Sequence, residues 1–185
     1  QRQQLMAEAN RTQAYAAAMY AVAKAEGQLS SVGDELFTGA RAIEDSDALR
    51  DALGDPHLPA DRRQQIIEEL LGSRSSDVTL ALASLAVAAG RGRELPAIVD
   101  ALLSMSATED GRQVAEVRSA IALTDDQQQR LAVSLTEATG HDVDVRVVVD
   151  PTVVGGLVVR VGDQVIDGSI RHRMAQLRDS LSARS

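Results

Sequence analysis

Residues Asp150–Met174 read DPTVVGGLVVRVGDQVIDGSIRHRM. The segment opens on Asp150-Pro151, crosses Gly155-Gly156, and then carries an apolar run, Leu157 to Val161, a Gly162-Asp163 pair and a second apolar stretch, Gln164 to Ile166. Short runs of Val, Ile and Leu punctuated by Gly and Asp predict two strands, around 157–161 and 164–167, joined by a tight turn. Gly155-Gly156 fits a bulge and a close approach of backbone rather than a phosphate-binding loop, since no GxxxxGK[ST] is present. Asp167-Gly168-Ser169 then starts a helix running to about Ala183. Its residues Ile170, Met174, Leu177 and Leu181 make one apolar side, with Arg171, Arg173 and Arg178 around it.

Upstream, Val143, Val145, Val147 and Val149 alternate with Asp144, Arg146 and Val148, which predicts a strand over 143–149 with one apolar and one mostly polar face. Gln113 to Leu123 is compatible with helix or strand, and a strand at 115–122 completes a small sheet. Thr124-Asp125-Asp126-Gln127 resembles a capping box, opening a helix to about Thr139 that Gly140 stops. Residues 106–185 therefore read as a small α+β domain.

The preceding residues, 1–105, read as a bundle of six helices. Residues 1–26 are free of Gly and Pro and rich in good helix formers. Ala14, Ala17, Ala18, Ala21, Val22 and Ala25 recur at helical spacing, Tyr15, Met19 and Tyr20 widen that face, and Gly27 is a natural stop. Such a face packs inside a bundle or receives a partner helix; the spacing allows both. A second helix, Leu29 to Asp45, is weakened locally by Gly33 and Gly39, each by roughly 1 kcal/mol relative to Ala. A short one, Asp47 to Leu53, precedes the break at Asp55-Pro56-His57-Leu58-Pro59. The fourth covers Ala60 to Leu71 and ends at Gly72. Ser75-Ser76-Asp77 caps a fifth, VTLALASLAVAAG, apolar nearly all round and so expected at the bundle centre. The sixth runs from Glu94 to Met105, and Ser104 to Gly111 reads as the joint between domains.

Composition narrows the function classes. With no Cys among 185 residues, disulfides and thiolate metal sites are excluded. A net charge of −8 gives little support to nucleic-acid binding, which needs a concentrated basic face. Aromatic content of 2% leaves Ala, Leu and Val to fill the interior and argues against an aromatic-lined pocket. No apolar run approaches the ~20 residues of a membrane span. His57, His141 and His172 are scattered, with His141-Asp142 the nearest approach to a metal-ligand pair. Ser134 and Ser169 lack a neighbouring base. No enzyme site, cofactor or metal is expected.

Several stretches carry a family resemblance. Val117-Arg118-Ser119-Ala120, Leu123-Thr124 and the segment from Val149 to Met174 resemble the C-terminal signature of the ATP synthase delta subunit, the family of the mitochondrial oligomycin-sensitivity-conferring protein. Tyr15-Ala16-Ala17-Ala18-Met19 resembles the family's first-helix motif, and Ala89-Gly90-Arg91 with Leu95 and Ile98 its junction between fifth and sixth helices. The resemblance implies a non-catalytic stator component of the rotary proton-translocating ATP synthase, held at the cytoplasmic face of a bacterial membrane only through the complex. It implies a groove for the N-terminal helix of the alpha subunit, formed here by Tyr15, Ala18, Met19, Val22, Leu82, Leu85 and Ala89. It also implies contact with the peripheral-stalk b subunit, here through Ile170, Met174, Leu177 and Leu181. Family members often carry larger residues where this first helix has alanines, so the groove is expected to differ in shape. With Gln rather than Met at position 1, the chain also fits a piece of a longer fused b-delta protein. The competing reading is a helical adaptor or regulatory domain for an unrelated partner.

Overall fold

In a computed structural model, residues 2–162 and 164–168 are described. They hold seven α-helices and a four-stranded sheet, an α+β fold. The chain divides into two compact units, Gln1–Ser106 and Ala107–Ser185.

The first unit contains α1 (Arg2–Ala25), α2 (Leu29–Glu44), α3 (Asp47–Gly54), α4 (Ala60–Leu71), α5 (Asp77–Ala88) and the start of α6 (Leu95–Glu109), with single 3₁₀ turns at Gly72–Arg74 and Gly92–Glu94. Local chemistry sets the boundaries. The Ser46 and Ser76 hydroxyls accept from the N–H groups of Leu49 and Thr79, capping α3 and α5. Gly27, at φ +67, lets the N–H groups of Gly27 and Gln28 close on the carbonyls of Lys24 and Ala23, so α1 ends there.

The core of this unit is aliphatic, with Met19, Leu36, Ile43, Leu53, Ile67 and Ile98 fully buried. Gly33 and Gly39 do more than weaken α2: both are buried, and a Cβ on Gly39 would stand 2.8 Å from Leu71 Cδ2 of α4. A side chain there would make the end of the Leu71 side chain shift. Arg41 of α2 is 5% exposed, a burial that is tolerable only with partners. Its guanidinium donates to Asp100 of α6 at 2.5 Å and to Glu44 at 2.7 Å, and lies over the Phe37 ring. α6 continues past Met105 to Glu109, so most of the stretch expected as a joint is helical; Ala107 is buried, and Gly111 at φ +70 follows the helix end.

The second unit is built on β1 (Arg112–Ser119), α7 (Asp125–Thr139), β2 (Asp142–Val149), β3 (Leu157–Val161) and β4 (Gln164–Asp167). The ambiguous stretch after Gln113 resolves as strand because both its edges find partners. The sheet order is β2-β1-β3-β4, with β1 parallel to β2 and antiparallel to β3. The parallel pair needs a crossover, which α7 supplies, opened by a full Thr124–Gln127 capping box and stopped by Gly140 at φ +73. One sheet face carries Ala115, Val117, Val143, Val159 and Val161, which cluster with Leu135 of α7.

The simple alternation expected for β2 does not hold. Val148, on the face assigned to water, is 7% exposed, whereas Val149 is 50% exposed. The charges of that second face pair with one another. Glu116, itself buried, pairs with Arg118 at 2.9 Å and Arg160 at 3.8 Å, Arg118 reaches Asp150 at 3.3 Å, and Arg146 pairs with Asp144 at 3.2 Å. Asp150 is then held by the turn that follows it, accepting from the Thr152 hydroxyl at 2.6 Å and N–H at 2.9 Å.

Candidate docking surface

The orientation of α1 decides what its alanines do. Ala16, Met19 and Ala23 face the core, all at most 1% exposed. Ala14, Ala17, Ala18, Ala21, Val22 and Ala25 are exposed. The stripe singled out in the sequence is therefore the outward one, and bundle packing does not account for it. Because a methyl group projects so little, a second helix could approach this backbone closely.

α5 behaves in the same way. Leu82, Ala83, Ala86 and Val87 are buried, while Ala81, Leu85, Ala88 and Ala89 are exposed, Leu85 at 59%. An all-round apolar helix was expected at the centre of the bundle, yet one side of it is open. Of the seven residues nominated for the groove, Ala18, Val22, Leu85 and Ala89 are exposed and Tyr15 is half-buried. Met19 and Leu82, at 1% and 5%, belong to the core beneath the surface. α1 and α5 contact one another within this unit.

Two polar devices hold α5. At its start, the Ser76 N–H and hydroxyl donate to Glu35 Oε2 of α2 at 2.8 and 3.1 Å. Burial pushes the Glu35 carboxyl pKa up, but the hydrogen bonds from Thr79 and Ser76 outweigh it and hold the group below its ordinary value. At its end, Gly90 adopts φ +74, and the Arg91 N–H closes on the Ala86 carbonyl at 2.8 Å. The Arg91 guanidinium donates to Glu94 at 2.7 Å and also interacts with the Tyr15 phenol of α1. Glu35 had no role in the sequence reading: a lone acid on a helix face reads as solvated until its partner, 41 residues away, is placed.

The second unit has its own apolar groove, of about 400 Å³, lined by Ile121, Leu123, Leu131 and Leu157 with Gly155 and Gly156. Both glycines have positive φ, at +60 and +80. Ile121, expected inside a strand at 115–122, instead lies beyond β1, which ends at Ser119, and lines this groove with Leu123. Ile170, Met174, Leu177 and Leu181 lie outside the described residues. Among the described residues, no group of three or more His, Cys, Asp or Glu could hold a metal ion, and no helix is long and apolar enough to cross a membrane.

Comparison with known proteins agrees with this architecture. The family profile described as ATP synthase delta (OSCP) subunit matches residues 12–181. An ATP synthase subunit delta of Nocardia farcinica is 43% identical over 156 residues, covering 84% of this chain and 58% of the relative. One of Acidothermus cellulolyticus is 39% identical over 166 residues, covering 90% and 61%. The chain thus spans about three fifths of the length of these relatives. A chain in the structure of the Toxoplasma gondii mitochondrial ATP synthase hexamer is 26% identical, with a TM-score of 0.55 over 92% of this chain and 96% of that one. With a profile match over residues 12–181, close relatives and a shared fold all pointing the same way, this chain belongs to the ATP synthase delta (OSCP) family, a family of structural rather than catalytic subunits.

Proposed function

We propose that the chain is a non-catalytic stator part of a rotary proton-translocating ATP synthase, joining its catalytic head to its peripheral stalk and resisting rotor torque. The outward apolar side of α1 and α5 receives the amphipathic N-terminal helix of the alpha subunit. The second unit meets the b subunit. The protein is held at the cytoplasmic face of the bacterial membrane through the complex alone.

The observation that carries this reading is the exposure of Leu85 together with Ala14, Ala18, Ala21 and Val22. An apolar strip along two adjacent helices is stable in water only at a cost that a docked helix removes. A part that bears torque needs slow dissociation, and broad apolar contact provides it without chemistry.

The test is a calorimetric titration of the chain with a peptide of its alpha-subunit N-terminus. Ala18→Glu and Leu85→Glu each place a charge on the strip and should weaken binding while leaving the helical circular dichroism unchanged. Unchanged affinity in both variants refutes the assignment. Recovery of the chain with alpha and b subunits from solubilised membranes is the independent check.

A further inference from the structure

Among the described residues β2 pairs with β1 alone, so its outer edge ends the sheet and presents backbone N–H and C=O groups with no strand beside them. Folded proteins ordinarily blunt such an edge with shortness, a bulge, a Pro or an unpaired charge. β4, at the other edge, is only four residues long. β2 is eight residues long, its register with β1 runs unbroken from Arg112↔Asp142 to Ser119↔Val149, and it contains neither Pro nor Lys. Its two central charges, Asp144 and Arg146, bind each other at 3.2 Å and together offer no net charge to repel a second strand.

The strand is also complementary to itself. Laid antiparallel against a second copy with Val145 opposite Val145, Asp144 of each copy meets Arg146 of the other, and Val143 meets Val147. Directly opposed residues of an antiparallel pair project to the same side, so the charges gather on one face and the valines on the other. The charged face is the one on which Glu116 stands level with Arg146, and the valine face is that of the Leu135 cluster. Moving the centre by one residue sets Asp144 against Asp144 or Arg146 against Arg146, which like-charge repulsion disfavours.

We propose that copies of this chain not held in a complex pair through β2, edge to edge about a twofold axis, joining their two sheets into one. Asp142 to Val148 of each strand take part, and Asp144 and Arg146 of the two copies close a ring of alternating charges. A guanidinium has five N–H donors, so Arg146 keeps its own Asp144 while taking the other. The contact is isologous, so it closes at two copies and leaves the short β4 as the edge at either end. Two strand edges bury little surface, so the association is weak and depends on concentration. It stands apart from the docking assignment, which concerns α1 and α5.

The test follows the full chain by sedimentation velocity from about 10 µM to about 1 mM, over which the sedimentation coefficient should rise from monomer toward dimer. Arg146→Asp and Asp144→Arg each set like charges opposite one another and should weaken self-association at least about tenfold. An equimolar mixture of the two variants brings opposite charges together at both positions and should pair more tightly than either alone. Neither variant regains its in-strand ion pair in the mixture, so the recovery reports the contact between copies and not repair of the fold. In the parent chain, amide exchange in β2 should slow as concentration rises while that in β4 stays constant; should circular dichroism show either variant unfolded, this measurement decides. A parent chain that stays monomeric to about 1 mM, a dimer with unchanged exchange in β2, or a mixture of folded variants no tighter than its components overturns the proposal. Each of these outcomes leaves binding of the alpha-subunit peptide to be judged separately.

Discussion

Leu82 and Leu85 stand one turn apart on α5 and should respond to the same substitution in opposite ways. Leu85 is 59% exposed in the free chain, so removing its side chain costs little in folding, within about ±0.5 kcal/mol for a surface change. Docking would bury that exposed part. Full burial of a leucine is worth roughly 1.5–3 kcal/mol, so the exposed share of Leu85 corresponds to about 1–2 kcal/mol. Leu85→Ala should therefore raise the Kd for the alpha-subunit peptide roughly five- to thirtyfold, with an unchanged unfolding midpoint. Leu82 is 5% exposed, and Leu82→Ala leaves a cavity in the bundle, costing about 2–5 kcal/mol of stability. For a unit of this size that is a fall in Tm of about 10 °C or more. Isothermal titration and differential scanning calorimetry on both variants separate the two effects. The reasoning is refuted if Leu85→Ala binds like the parent chain, or if it lowers Tm as Leu82→Ala does.

Three further outcomes are expected. The folded state holds the Glu35 carboxyl below its ordinary pKa, so the stability it lends is complete above the unfolded carboxylate value and is lost as pH falls through the lowered one; Glu35→Gln should flatten that part of the acid limb in urea midpoints taken between about pH 7 and pH 3. Gly92→Ala would press a methyl against the Leu53 backbone and should cost about 1–3 kcal/mol of stability, read by chemical denaturation, since backbone there cannot step aside as a side chain would. Thr124→Ala removes the hydroxyl half of the α7 capping box and should destabilise the second unit by about 0.5–2 kcal/mol, visible as faster amide exchange in the first turn of α7.

Much of the fold was legible because this chain punctuates itself. Gly27, Gly72 and Gly140 follow helix ends, and Ser76 and Thr124 begin helices, each by a local mechanism that needs no tertiary context. What is outside and what is inside was harder to read. On α1 the buried line contains Ala16 and Ala23 and the exposed one Ala14, Ala18 and Ala25, so residue type alone cannot distinguish core from surface. α5 poses the same problem with leucines: Leu82 is buried and Leu85 is not. On β2, Asp144 and Arg146 read as a wetted side. Their mutual pairing, and that of Glu116 with Arg118 and Arg160, depends on strand register, which only the folded sheet reveals. Arg41 and its partner Asp100 were hidden by separation, 59 residues in the chain.

The position of β1 in its sheet bears on how the protein is made. Within its sheet β1 is the first strand to be made, and both its neighbours come later, β2 after a whole helix and β3 later still. A nascent chain thus carries a strand with two unsatisfied edges while α7 and β2 are still being synthesised. Such a segment invites pairing with a neighbouring chain. Arg112, Glu116 and Arg118 interrupt its apolar residues at alternate positions, and charges so placed keep an exposed strand from stacking on its own kind. The ion pairs that hold the finished sheet together would then have had an earlier use, as unpaired charges guarding the growing chain.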